Sequence, residues 1–107
     1  MGAKIQFYAM TNVQLQKHIR LLSKNSANVF ITEHARKRMH QRKITDYQVI
    51  DCLRNGVVQR PATQDIKTRD IKCRMEHFGT SRNISVVVAL SDQDPDLIII
   101  TVMNRSR

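Results

Sequence analysis

Two nearly unbroken apolar runs, Ile84 to Leu90 and Leu97 to Met103, are separated only by Ser91-Asp92-Gln93-Asp94-Pro95-Asp96. Runs of this length, rich in Val and Ile and bounded by turn residues, fit strands at the centre of a sheet better than helices. A linker this short joins antiparallel neighbours, because a parallel pair needs a crossover of a dozen residues or more. The pair therefore predicts a hairpin over 81–90 and 97–103, and helix between Ile84 and Leu90 would refute it.

Upstream the apolar spacing is helical. Thr11 or Asn12 caps a first helix, carried by Val13, Leu15, Ile19 and Leu22 through about Lys24, and Ser23-Lys24-Asn25-Ser26 turns the chain. Thr32 caps a second helix over Glu33 to Arg42, with Ile31, Ala35 and Met39 as a narrow inward stripe. Thr45-Asp46-Tyr47-Gln48 is a capping-box sequence that opens a third helix over Asp46 to Arg54, and Asn55-Gly56 predicts a left-handed stop. After Gly56 the period changes to that of strands. Val57 to Arg60, ending at Pro61, is expected to form one, followed by Ile71 to Phe78 and the central pair; Lys4 to Met10 predicts a further short strand. The expected fold is α+β: N-terminal helices packed on one antiparallel β-sheet, in a single domain spanning 1–107 with a frayed tail at 104–107.

The balance of charge narrows the partners. Eighteen Lys and Arg against nine Asp and Glu give a net charge of +9, a field that favours a polyanion. The apolar runs are far too short to span a bilayer, and the first twenty residues lack a signal-peptide pattern, so the expected setting is cytoplasmic with no membrane partner. Cys52 and Cys73 both lie in apolar segments with no further ligand at metal spacing, which predicts reduced, buried thiols and no metal site. With only three glycines and no phosphate-binding loop or paired-carboxylate motif, no cofactor is expected, and nucleotide hydrolysis and two-metal nuclease chemistry are disfavoured. The absence of Trp and of a basic-aromatic strand motif argues against an aromatic RNA-stacking sheet.

Most of the functional information lies in Thr32 to Lys43, where seven of twelve residues are Arg, Lys or His. On a helix with Ala35 inward, His34, Arg38 and Arg42 follow one flank, Arg36, His40 and Lys43 the other, and Lys37 points away from the core. Singly, each is ordinary as a solvated side chain lying beside the apolar seam. Together they repel one another, a cost that a phosphate backbone would relieve. On the strand at 71–78, Lys72 and Arg74 share the face opposite Ile71, Cys73 and Met75, so they are candidates for a basic sheet surface, with Thr101 as a further phosphate contact; an ordinary exposed strand face is the simpler alternative. His77, on the apolar face at the strand's end, is expected to be a hydrogen-bonded edge histidine.

The string His34-Ala35-Arg36-Lys37-Arg38-Met39, then Arg42-Lys43-Ile44-Thr45, Leu53-Arg54-Asn55-Gly56 and the closing hairpin, resembles a family of small bacterial and phage domains of unknown function over roughly residues 30–103. That resemblance implies a fold like the RelE, ParE and BrnT toxins of toxin–antitoxin systems. His34 and Arg38 are the positions that match its pattern.

Three functions remain open on these grounds. One is a metal-independent endoribonuclease in which His34 exchanges protons while Arg38 and Arg74 hold the phosphate; catalysis by 2′-hydroxyl attack requires such groups together. The second is a non-catalytic module binding RNA, DNA or the ribosome through Arg36, Lys37, Arg42, Lys43, Lys72 and Thr101. The third is a protein-interaction or inhibitor domain whose basic face meets an acidic protein, such as an antitoxin.

Overall fold

Each of the three helices starts where a threonine supplies the oxygen that the first turn lacks. In the computed structural model, which describes residues 10–64, 70–79, 83–91 and 95–104, helix α1 spans Asn12–Leu22, α2 Glu33–Arg42 and α3 Asp46–Asn55. Thr11, Thr32 and Thr45 accept from the backbone N–H of Gln14, Ala35 and Gln48, and Gln14 and Gln48 close full capping boxes. The strands are β1 (Val29–Ile31), β2 (Thr63–Gln64), β3 (Ile71–Phe78), β4 (Asn83–Leu90) and β5 (Leu97–Asn104), in the order β1-β5-β4-β3-β2. The α+β reading holds, and the two long apolar runs occupy the middle of the sheet as antiparallel neighbours.

Three expectations change. The sheet is mixed, because β1 lies parallel to β5, pairing Val29 with Leu97 and Ile31 with Ile99. Such a distant pairing leaves no turn signal in the local sequence. The strand expected over Val57 to Arg60 reduces to one bridge, Val57 with Glu76, after which the chain leaves the sheet edge and returns at Thr63 opposite Lys72. Pro61, which has no N–H to donate to a ladder, lies in that departure. Gly56 is extended (φ −77°, ψ 179°) rather than left-handed. Its requirement is space: a Cβ there would lie 2.3 Å from the Cys52 carbonyl oxygen and 2.9 Å from that of Glu76. The left-handed residue is instead Lys43, at the C-cap of α2 (φ 55°). Of the expected Lys4 to Met10 strand, residues 4–9 lie outside the described residues, as do 80–82 and 92–94 in the two expected turns, Ser81 at the expected start of β4, and 105–107 of the tail.

The helices share one face of the sheet. Ile71, Cys73 and Met75 of β3, Ile84, Val86, Val88 and Leu90 of β4, and Leu97, Ile99 and Val102 of β5 form one cluster with Leu15, Ile19, Ala35, Met39, Val49, Cys52 and Leu53 from the helices. A bulge in β5 beside Val87 and Val88 keeps Val102 on that inner face despite the extra residue. Burial pushes the Cys52 thiol up to about 12, helped by the Asp51 and Glu76 carboxylates, and the Cys73 thiol to about 11. Both are inert core groups, as expected, and the Cys52 thiol donates to the Met75 carbonyl at 3.4 Å.

Two of the basic residues serve the fold. Arg20 of α1 donates to the Gly56 carbonyl from Nε (3.0 Å) and Nη2 (2.7 Å), while Arg54 of α3 donates to the carbonyls of Ser23 (2.9 Å) and Lys24 (3.2 Å). Each helix thus caps the C-terminal end of the other with a guanidinium, satisfying carbonyls that have no helical donor.

Candidate nucleic-acid interface

Helix α2 is held to the sheet at its start and along a thin seam. The Thr32 hydroxyl donates to the Ile99 carbonyl at 2.7 Å and its N–H to the same oxygen at 3.2 Å, so β5 fixes the N-cap while Ala35 and Met39 bury the inner stripe. Everything else on the helix is exposed or half-buried. His34, Arg36, Lys37 and His40 are exposed; Arg38 and Arg42 are half-buried, as expected for side chains flanking the seam. Arg36 pairs with Asp46 at 3.3 Å, but both side chains are more than half exposed, so solvent screens the pair. Arg38 Nη1 donates to Gln41 Oε1 at 3.1 Å. The Nη1 of Arg42 is shielded from solvent and has no hydrogen-bond partner among the described residues. The helix N-terminus is already served by the Thr32 hydroxyl and carries Glu33 in its first turn. A phosphate would therefore be drawn to the cationic flank and not to the cap.

Lys72, Arg74 and Thr101 occupy the opposite face of the sheet. Lys72 and Arg74 alternate with the core residues of β3, and the register sets Arg74 beside Val87 of β4 and Val87 beside Thr101 of β5, giving one row across three strands. No helix covers this face among the described residues. Arg36, Lys37, Arg42 and Lys43 thus cluster with His34 and Arg38 on or next to α2, whereas Arg74, Lys72 and Thr101 lie across the sheet from them. The trio His34, Arg38 and Arg74 is not brought together. Strand alternation gave each face correctly, but which face α2 would cover depended on the parallel pairing of β1.

Two features escaped the sequence reading. Arg60 lines a cavity of about 460 Å³ with Pro61, Ala62, Lys72, Arg74 and Val87; its only signal was a cation next to a proline. Asp51 of α3 accepts from Asn55 Nδ2 at 2.7 Å and faces His77 Nδ1 at 3.6 Å, a loose electrostatic contact between α3 and the end of β3 that is longer than the hydrogen bond expected for the edge histidine. No group of three or more metal-ligating side chains occurs among the described residues, and no helix there is long and apolar enough to cross a membrane.

No curated protein and no solved structure matches the chain. Residues 31–104, from the end of β1 to the end of β5, match a family described as Domain of unknown function (DUF4258), and the chain belongs to that family.

Proposed function

We propose that this domain binds RNA through the outward face of α2 and does so without cutting it. The observation that carries the reading is the density of cations on a helix that contributes only two buried side chains, Ala35 and Met39, to the core. Among the described residues Lys37, Arg38 and Arg42 meet no carboxylate. Lys43 supports the same reading: it holds a left-handed C-cap that glycine would adopt at lower cost, which keeps a cation at the end of the face. Phosphate oxygens supply both the charge and the acceptors that this surface lacks. RNA is preferred to DNA because the domain family that the His34-to-Met39 string, the Asn55-Gly56 pair and the closing hairpin together resemble implies a toxin-like fold.

Cleavage is the second reading. It rests on His34 and Arg38, one turn apart on the same flank of α2, with Arg74 too remote to share a phosphate with them. Incubating the purified protein with a defined single-stranded RNA and with translating ribosomes, both with chelator present, separates the two. The binding reading expects a shifted, intact RNA. Fragments ending in 2′,3′-cyclic phosphate, lost in His34→Ala at an unchanged melting temperature, would replace it with a metal-independent, toxin-type endoribonuclease. Failure to bind at low salt would reject both in favour of a protein partner with an acidic surface.

A further inference from the structure

The sheet edge at β3 contains a notch. Val57 and Glu76 exchange both backbone hydrogen bonds, at 2.8 and 2.9 Å, and the next pairing along the edge is Thr63 with Lys72. Five residues lie between Val57 and Thr63 while three lie between Lys72 and Glu76, so the outer chain arches off the strand between the two pairings. Because backbone groups alternate along an antiparallel strand, the N–H and C=O of Arg74 point towards the same edge as those of Glu76, into the space below the arch. The cavity of about 460 Å³ occupies this notch and extends onto the helix-free face. That volume is within the range of small-molecule sites, roughly 300–1,000 Å³.

The lining divides by chemistry. Pro61, Ala62 and Val87 give apolar walls; the charged residues of the lining, Arg60, Lys72 and Arg74, are all basic, and no carboxylate lines the cavity among the described residues. Glu76, the next residue on the Arg74 side of the strand, is buried and accepts from the Ser85 hydroxyl at 3.4 Å, outside the lining. A ligand suited to this site has a flat, largely apolar body, an edge that both donates and accepts hydrogen bonds, and an anionic group.

We propose that the notch between residues 57–63 and β3 binds one nucleotide, with its base between Pro61 and Val87 against the Arg74 backbone and its phosphate on the guanidinium groups of Arg60 and Arg74. The base edge takes the place of the missing strand neighbour. Arginine presents paired donors to phosphate oxygens, so two of them can hold a single phosphate from both sides. This site is separate from α2 and does not depend on the RNA reading of that helix. The nucleotide is either free or the phosphorylated end of a strand, since both present the same chemistry.

The test is amide-resolved NMR titration of the full chain with each of the four nucleoside 5′-monophosphates, the matching nucleosides, inorganic phosphate, and a short oligonucleotide with or without a 5′-phosphate. Shifts confined to residues 60, 62, 63, 72–74 and 87 are expected with at least one monophosphate, weakened about tenfold or more in Arg74→Gln and in Arg60→Ala. Lys37→Gln/Arg38→Gln should leave these shifts unchanged, so loss of α2 binding and loss of this site are read separately. A response only to free monophosphates assigns a small-molecule ligand; an equal response to the 5′-phosphorylated oligonucleotide, absent without the phosphate, assigns a strand end. Inorganic phosphate binding as tightly as every monophosphate, or shifts that fall on α2 instead, would overturn the proposal. So would full retention of binding in both arginine variants, whose fold is checked by their amide spectra.

Discussion

Helices α2 and α3 have the same length and lie on the same face of one sheet, yet they are opposite in what they give the molecule. Helix α3 buries Val49, Cys52 and Leu53, carries a full capping box, and has its C-terminal end closed by Arg20. Helix α2 buries Ala35 and Met39 only and carries six basic or imidazole side chains, His34, Arg36, Lys37, Arg38, His40 and Arg42. A helix this polar stays in place because the Thr32–Ile99 contacts and a thin seam suffice to dock it, and because its long side chains cover the seam's margins. The difference fits a role in stability for α3 and the proposed role in recognition for α2, and it can be broken at several points.

The largest expected effect is in the α3 layer. Leu53→Ala should cost about 2–5 kcal/mol, as for a large-to-small change at a fully buried site. Gly56→Ala should cost roughly 1–3 kcal/mol, since its Cβ meets two backbone carbonyls that cannot move independently. Denaturant titration measures both, and a change below about 0.5 kcal/mol in either would undo the assignment of α3. Arg20→Ala and Arg54→Ala should each cost about 1–2 kcal/mol in the same assay, because the carbonyls they serve lose a charged donor but can partly turn to water.

Those two arginines show where sequence reading stops. The capping threonines, the helix spans and the central hairpin were legible because they depend on residues close together in the chain. The reciprocal caps were not, since Arg20 and the Gly56 carbonyl are 36 residues apart and nothing local distinguishes Arg20 from a solvated cation. The net charge of +9 therefore overstates the surface open to a ligand. For the same reason β1 was missed, and with it the fact that α2 and Arg74 lie on opposite sides of the sheet. The residues of the candidate face were visible in the Thr32 to Lys43 string, but their separation from Lys72, Arg74 and Thr101 needed the register of five strands.

Smaller effects sharpen the contrast. Thr45→Ala should lose about 1 kcal/mol through its capping box. Lys37→Gln should change stability by no more than about 0.5 kcal/mol, since its side chain is exposed. His18 gives a weak dependence on pH. Burial holds its imidazole below the usual 6.5, against the opposing pull of the Asp96 carboxylate. The unfolded chain therefore takes up this proton first as pH falls. The contribution is complete above pH 6.5 and is lost as pH falls through the lower folded-state value. Thermal melting between pH 7.5 and 5 should show a fall that is shallower in His18→Gln, and an equal fall in both proteins would contradict it.

The central claim is that α2 carries the phosphate contacts, and the salt dependence of RNA binding tests it most directly. Fluorescence anisotropy over a range of salt concentrations would compare the parent with Lys37→Gln/Arg38→Gln and with the exposed α1 control Lys17→Gln. Each phosphate contact to a single strand contributes about 0.7 to the slope of log K against log salt. The double variant should lose roughly 1.4 from that slope, and the control should match the parent. A double variant with an unchanged slope, or a control that loses as much, would contradict the assignment of binding to α2.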